Sequence, residues 1–185
     1  MKFLYYLCRK FIMAENREIE RKFLVKDRSF VEQASAVHQI AQGYLCREPE
    51  RTIRVRIRDE RAFLTIKSNI GQQGITRFEW EKEIDPNDAR ELLSICQPEI
   101  IEKKRYIIKA NGEWREARGE RKWEVDVFEG RLKGVVIAEI ELGSEEEPFE
   151  RPDWLGEEVT QQKEYTNSIL SDPKLNINQL KKLEP

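Results

Sequence analysis

Cysteine and histidine are scarce in this chain of 185 residues. The three cysteines, Cys8, Cys46 and Cys96, lie far apart without a metal-type spacing, which excludes a disulfide scaffold and a zinc ribbon. The single histidine, His38, excludes a site with several histidine ligands and leaves any serine or cysteine nucleophile dependent on one residue. This cysteine usage fits a reducing compartment, and we expect a cytoplasmic protein.

The chain also lacks an excess of one charge and long apolar runs. With 33 basic and 35 acidic side chains, the net charge of -2 argues against a surface that coats nucleic acid. No segment approaches the ~20 consecutive apolar residues of a membrane span. Hydrophobic residues nevertheless make up 39% of the chain, which is enough for a folded core. We expect a folded protein that neither coats nucleic acid nor spans a membrane.

The length fits one domain around one core. Met13 opens the segment Met-Ala-Glu-Asn-Arg-Glu, which has the character of an alternative start. We therefore interpret residues 1–13 as an N-terminal extension outside the fold. Residues 14–185 are expected to form a single domain that includes a helical C-terminal tail.

Alternating side-chain character between residues 17 and 143 predicts a series of strands joined by short, antiparallel connections. The predicted strands are 17–24, 37–46, 51–58, 61–67, 75–84, 99–109, 121–129 and 134–143. Helices are predicted at 29–35 and 87–96, and in the tail at 163–170 and 178–183. Because closure removes exposed strand edges, this pattern favours an α+β fold built on an eight-stranded antiparallel closed β-barrel. The alternative is an open, two-layer α+β sheet.

One face of these strands is almost entirely ionic, since side chains at i and i+2 share a face. It comprises Glu18, Glu20, Lys22, Arg54, Arg56, Arg58, Lys67, Arg77, Glu79, Glu81, Glu83, Lys103, Arg105, Glu124, Asp126, Glu139 and Glu141. The same pattern on one strand would indicate an ordinary solvated face. A solvated face, however, normally carries Thr, Ser and Gln as well. If the barrel closes with its apolar face outward, the ionic face lines the interior.

An ionic interior requires ligands, because two like charges ~4 Å apart repel by roughly 4 kcal/mol at an effective dielectric of ~20. Clustered carboxylates are relieved by a hard divalent cation that takes oxygen ligands, such as Mg²⁺ or Mn²⁺. Clustered Arg and Lys side chains are relieved by a compact polyanion whose phosphate oxygens match the arginine fork. The residues therefore predict a site for a metal ion and a small molecule with several phosphates.

The segment Glu18-Ile19-Glu20-Arg21-Lys22 resembles the ExExK signature of the CYTH superfamily, the triphosphate tunnel metalloenzymes. Further segments resemble the family in the same order: 42–45, 52–56, 64–67, 77–81, 101–106, 123–128, 138–142 and 156–160. The resemblance covers about residues 16 to 170. It implies an eight-stranded barrel with a charged tunnel that acts on triphosphates with Mg²⁺ or Mn²⁺.

The short bacterial members that the chain resembles most are inorganic triphosphatases. The function expected from the resemblance is therefore hydrolysis of inorganic tripolyphosphate with release of orthophosphate. Alternatives within the superfamily are a thiamine triphosphatase and a class IV adenylate cyclase. An alternative from another class is a non-catalytic module that binds polyphosphate or nucleotide.

The resemblance also implies roles for individual residues. The implied metal ligands are Glu18, Glu20 and Glu141, with Glu139 and Asp126 close by. The implied phosphate-binding residues are Lys22, Arg54, Arg56, Lys67, Lys103 and Arg105, with Lys163 closing one mouth of the tunnel. Glu79 and Glu81 are expected either to orient a second metal or the attacking water, or to neutralise nearby arginines.

Hydrolysis needs an activated water, and a tyrosine beside a lysine is a candidate base because positive charge favours the phenolate. The resemblance pairs Tyr44 with Lys103 in this catalytic role. The alternative is that Tyr44 only packs in the barrel lining. The sequence departs from the short members at 111–120, where a longer charged hairpin is expected either to be a solvated loop or to alter access to one mouth.

Overall fold

The computed structural model describes residues 17–48, 50–68, 76–96, 99–110 and 121–183. Within these residues the strands are β1 Arg17–Val25, β2 Ala34–Glu48, β3 Arg51–Arg58, β4 Arg61–Ser68, β5 Thr76–Ile84, β6 Ile101–Lys109, β7 Lys122–Phe128, β8 Val136–Glu141 and β9 Leu155–Glu158. The α-helices are α1 Phe30–Gln33, α2 Pro86–Ser94 and α3 Asn167–Leu170. Short 3-10 helices span Gly130–Leu132, Lys163–Tyr165 and Ile177–Gln179. In this part of the chain, no helix has the length and apolar character needed to cross a membrane.

All strand pairs are antiparallel, in the order β5-β4-β3-β2-β6-β7-β8-β1-β9. The ring closes because β1 also pairs with β5 at Arg17–Phe78, Glu18–Arg77 and Ile19–Thr76. The rest of that edge of β1 carries β9. The predicted eight-stranded barrel is therefore confirmed, and β9 is a ninth strand that the alternation pattern did not predict.

The apolar face of the strands packs outward, beneath helices and loops. Trp123 lies at the centre of one cluster, with ring centroids 5.7 Å from those of Phe23 and Trp154. A second cluster lies beneath α2, where Val55 packs against the fully buried Ala89. Burying a large apolar side chain contributes roughly 1.5–3 kcal/mol. The outer wall of the barrel, rather than its lumen, is therefore the hydrophobic core.

Helix α2 starts one residue before its predicted position because the sequence caps it. The carboxylate of Asp85 accepts a hydrogen bond of 2.7 Å from the backbone N–H of Asn87, and Pro86 occupies the first turn. The end of this helical segment lies directly on β2. A Cβ atom at Gly43 would be 2.6 Å from the Cβ of Cys96, so the absence of a side chain permits this close approach.

Two predicted helical regions are shorter in the structure. Helix α1 ends at Gln33 because Ala34 takes an extended conformation, with ψ of 128°, and starts β2. The predicted tail helices are reduced to α3 and to 3-10 turns. The predicted extension at residues 1–13 and the hairpin at 111–120 lie outside the described residues.

The single histidine lies beside the turn between β3 and β4. His38 Nδ1 is 2.6 Å from Oδ2 of Asp59, the residue that turns the chain between β3 and β4 with φ of 54°. Both side chains are partly exposed to solvent. This position agrees with the inference that no histidine takes part in a nucleophilic site.

Candidate active site

The ionic face of the strands lines the interior of the barrel and is largely withdrawn from water. Seven of the predicted charged site residues are at most 9% exposed: Lys22, Arg54, Arg56, Lys103, Arg105, Asp126 and Glu139. They come from strands β1, β3, β6, β7 and β8. Burying so many charges is possible only if each has a partner of opposite sign.

Asp126 is the deepest carboxylate and holds two cations. Lys103 Nζ donates to its Oδ2 at 2.6 Å, and Arg105 donates to both of its oxygens through Nε and Nη2 at 2.7 Å. Burial lowers the pKa of Lys103 to about 8, although Asp126 opposes this shift. Burial of Arg105 is outweighed by Asp126 and Glu124, which raise its pKa. The predicted metal ligand Asp126 is thus occupied by cations.

Lys22 forms the second ionic group, on the wall made by β1 and β8. It lies opposite Glu139 in the strand register and forms ion pairs with Glu139 and, at 2.7 Å, with Glu20. Burial opposes the charge on Lys22, but the two carboxylates prevail and raise its pKa. For Glu139, burial is outweighed by Lys22 and Arg105, so its pKa is lowered. Both partners of this buried pair are charged.

The third ionic group lies on β3, β4 and β5. Glu81 accepts a hydrogen bond from Arg56 at 2.9 Å and lies 3.5 Å from Arg54. Glu79 lies 3.0 Å from Lys67 and 3.7 Å from Arg54. Burial raises the pKa of Glu81, but Arg56 and Arg54 outweigh it and the net shift is downward. Both carboxylates therefore pair with cations of the lumen, and the choice between their two expected roles stays a prediction.

A cavity of about 430 Å³, part of it open to solvent, lies among these side chains. Its lining comes from strands β1, β2, β3 and β4 and from the C-terminal segment. It consists of Glu20, Lys22, Tyr44, Thr52, Arg54, Lys67, Thr166, Asn167 and Ser168. Three of these residues are cations, one is a carboxylate and one carries an aromatic ring. The cavity therefore offers positive charge and hydrogen-bonding groups to an anion.

Tyr44 and Lys103, which the sequence predicts to act together, do not form a hydrogen bond with each other in the described part of the chain. The Tyr44 hydroxyl accepts a hydrogen bond from Gln42 Nε2 at 3.3 Å. Lys103 Nζ instead donates to Asp126 and, at 2.9 Å, to Oδ1 of Asn167. Burial raises the pKa of Tyr44 in spite of nearby cations, which is opposite to the shift expected of a base. The hydroxyl is therefore protonated at neutral pH.

The predicted metal ligands are only partly brought together. Glu20 on β1 and Glu141 on β8 are direct register partners, while the side chain of Glu18 lies outside the described residues. Among the side chains that the structure describes, no three His, Cys, Asp or Glu residues form a metal-binding group. Carboxylate oxygens nevertheless suit Mg²⁺ or Mn²⁺, so Glu20 and Glu141 fit as two members of an oxygen ligand set.

The C-terminal tail reaches the cavity, but not through the predicted residue. Lys163 is exposed at the start of its 3-10 helix and is not part of the cavity lining. Thr166, Asn167 and Ser168 line the cavity instead, and Asn167 bonds to Lys103. Nothing in the local sequence pattern distinguishes these three polar residues from a solvated turn.

Two further lumen residues were not predicted as site residues from the sequence. Thr65 is fully buried, accepts a hydrogen bond from Arg54 at 3.1 Å and donates one to Glu81 at 2.6 Å. Gln42 is also fully buried and contacts Tyr44. Thr65 lies two positions before Lys67, and Gln42 lies two positions before Tyr44. This spacing places each residue on the same strand face as a predicted site residue, and it was the signal in the sequence that they face the lumen.

Comparisons with known proteins extend across most of the chain. The family model of the CYTH domain matches residues 16–172. The chain is 39% identical over 155 residues to an inorganic triphosphatase of Acetivibrio thermocellus, which covers 83% of this chain and 92% of the relative. It is 35% identical over 159 residues to an inorganic triphosphatase of Nitrosomonas europaea, with 83% and 96% covered. A solved structure of an inorganic triphosphatase is 32% identical, with a TM-score of 0.56 and coverage of 83% and 93%.

Replacing Asp126 by Asn tests whether the deep ionic group stabilises the barrel through charge compensation. The substitution leaves Lys103 and Arg105 buried without their shared counter-charge, so we expect the free energy of unfolding to fall by about 3–5 kcal/mol. Urea denaturation measures this change.

The matched control is Glu129→Gln, which removes the partly exposed partner of Lys104 at 3.3 Å. Its effect should stay below ~1 kcal/mol. Equal losses in the two variants would contradict the compensation argument.

Proposed function

The chain belongs to the CYTH domain family, and from this membership we propose that it is a metal-dependent triphosphatase that hydrolyses inorganic tripolyphosphate. Water attacks a terminal phosphorus, the bond from that phosphorus to the bridging oxygen breaks, and orthophosphate and pyrophosphate leave. The two relatives named as inorganic triphosphatases support this assignment.

The observation that carries the proposal is the convergence of Lys22, Arg54 and Lys67 on one cavity. Arginine presents a rigid fork of donors that matches two phosphate oxygens, whereas lysine supplies a compact point charge. A compact anion with several phosphates can contact all three cations at once. A single phosphate or carboxylate would contact fewer of these three cations.

Each of these cations already has a carboxylate partner, which sets how substrate binds. Lys22 pairs with Glu20, and Lys67 pairs with Glu79. Phosphate oxygens must therefore compete with carboxylates for the cations. Arg56 and Arg105 lie among the same ionic groups but are held by Glu81 and Asp126, and we assign them the role of adding positive potential to the site.

The proposed metal site adjoins the phosphate site. Glu20 and Glu141, with Glu18 as the third proposed ligand, would hold Mg²⁺ or Mn²⁺ through oxygen atoms. Such an ion supplies positive charge to the phosphates and activates water for attack. The chain itself keeps the two sites adjacent, because Glu20 lines the cavity and lies 2.7 Å from Lys22.

Tyr44 is proposed to act as a hydrogen-bond donor rather than as a base. Tyr44 lines the cavity, and burial raises the pKa of its hydroxyl, so the hydroxyl carries a proton at neutral pH. A phosphate oxygen that gains negative charge during hydrolysis is a suitable acceptor. Lys103 is proposed to act indirectly, by holding the tail through Asn167 at 2.9 Å.

The cavity lining favours an inorganic substrate over a nucleotide or thiamine triphosphate. Among the described residues that line it, Tyr44 carries the sole aromatic ring. An adenine or thiamine ring would require further stacking surface or apolar contacts. We therefore place adenylate cyclase and thiamine triphosphatase activity below tripolyphosphate hydrolysis.

A substrate panel tests the proposed reaction. Phosphate release is measured from tripolyphosphate, ATP and thiamine triphosphate, each with Mg²⁺ and with Mn²⁺. We expect tripolyphosphate to have the highest kcat/KM, because it fills the cationic cavity without an organic group. Absence of turnover with all three substrates would remove the enzymatic proposal, and formation of cyclic AMP from ATP would replace it with cyclase activity.

The combined substitution Glu18→Gln and Glu20→Gln separates a catalyst from a binding module. A catalyst should lose turnover by about 100-fold or more together with its metal dependence, because the oxygen ligands lose their charge. A binding module should instead gain affinity for tripolyphosphate, since anionic repulsion falls. Phosphate release and calorimetric titration with tripolyphosphate measure the two outcomes.

The control for this variant is Glu83→Gln, which removes a carboxylate paired with Arg61 at the exposed end of β5. Its turnover should remain within about twofold of the native value. Full activity of the double variant would disprove the assigned metal ligands.

A further inference from the structure

Gln42 is a fully buried amide inside the ionic lumen, and the reaction described above gives it no role. On β2 it lies directly opposite Arg56 of β3, and Tyr44 follows two positions later on the same strand face. A primary amide offers two N–H donors and an acceptor oxygen. Leaving such a group unpaired when buried costs roughly 1–3 kcal/mol, so its hydrogen bonds need an explanation.

The two ends of the amide differ in their surroundings. Nε2 donates to the Tyr44 hydroxyl at 3.3 Å. Oε1 is buried without a hydrogen-bond partner among the described residues, and the same holds for Nε of Arg56. An unpaired acceptor and an unpaired donor therefore lie at facing positions of two neighbouring strands. Side chains at such positions are in contact range.

The bond from Gln42 determines where the Tyr44 proton goes. Because the hydroxyl oxygen already accepts the amide N–H, its own proton is available to a different acceptor. Tyr44 lines the cationic cavity, so a phosphate oxygen of a bound substrate is an acceptor that this proton can reach. Without the amide, the hydroxyl would be free to rotate.

The two atoms without partners, Oε1 of Gln42 and Nε of Arg56, require a ligand other than phosphate. Ionised phosphate oxygens only accept hydrogen bonds, so they cannot satisfy the acceptor Oε1 of Gln42. A water molecule can donate to Oε1 and accept from Nε of Arg56 at the same time.

We propose that Gln42 is a positioning residue, which directs the Tyr44 proton toward the substrate phosphate and holds an ordered water molecule against Arg56. This proposal rests on the proposed triphosphatase function. Under this proposal Gln42 contributes to the same active site, although it binds neither the metal ion nor the phosphates.

The kinetic test uses Gln42→Leu, Tyr44→Phe and the double variant with tripolyphosphate and Mg²⁺. Gln42→Leu should lower kcat by about tenfold, with KM changed less than about twofold, because alignment rather than substrate binding is lost. The double variant should lose no more than the larger single loss, since both changes remove one interaction. Independent, multiplying losses, or an effect on KM alone, would overturn the proposal.

A second readout needs no turnover. In protein labelled with ¹³C at the tyrosine ring carbon that bears the oxygen, the Tyr44 resonance is identified by its loss in Tyr44→Phe and followed with rising pH. Removing the amide donor by Gln42→Leu should shift ionisation of Tyr44 to higher pH, because the phenolate loses a hydrogen bond. An unchanged titration would contradict the role of Gln42, whether or not tripolyphosphate is the substrate.

Folding is checked in the same experiment by thermal unfolding. If Gln42→Leu does not fold, Gln42→Met replaces it, because methionine keeps the length of the side chain and removes the amide. The same kinetic and spectroscopic changes are expected. Failure of native protein to hydrolyse tripolyphosphate would contradict the proposed function alone, whereas native-like kinetics and titration of the Gln42 variant would contradict the proposal for Gln42.

Discussion

Each buried cation in the lumen is held by a carboxylate, and this compensation allows the barrel to turn its ionic face inward. The arrangement around Asp126 shows the principle, since this carboxylate holds both Lys103 and Arg105 while it is 1% exposed. Without such pairs, desolvation of the charges would cost more than the outer hydrophobic wall could offset. The barrel is stable because its apolar core lies outside and its charges are neutralised inside.

The same compensation links the structure to its proposed chemistry. In the proposed function Lys22, Arg54 and Lys67 would bind phosphate, and each would then release a carboxylate. The released carboxylates would need positive charge, which a divalent cation bound by oxygen ligands such as Glu20 would supply. Under this proposal substrate binding and metal binding are coupled through shared ion pairs. Such coupling is a physical reason for a tunnel of this composition to use both a polyanion and a metal ion.

The sequence predicted the faces of the barrel better than its long-range contacts. Alternation of Arg54 and Arg56 with Val55 assigns inner and outer faces, because the period of a strand is two residues. Register across the lumen is not encoded in that pattern, and Lys103 bonds to Asp126 and Asn167 rather than to the predicted partner Tyr44. Strand β9 and the tail residues Thr166, Asn167 and Ser168 reach their places through tertiary contacts alone. Alternation within a strand carries no information about such contacts.

The most direct test of the central claim compares two arginine–glutamate pairs that link different strands of the sheet. Arg54 lies 3.5 Å from Glu81 inside the lumen, whereas Arg61 lies 2.6 Å from Glu83 at the exposed end of the same sheet region. The dissociation constant for tripolyphosphate is measured by calorimetry for Arg54→Gln and Arg61→Gln. The account predicts that affinity falls by about tenfold or more in the first variant and by less than about twofold in the second. Equal effects, or a greater loss in Arg61→Gln, would contradict a binding site inside the barrel.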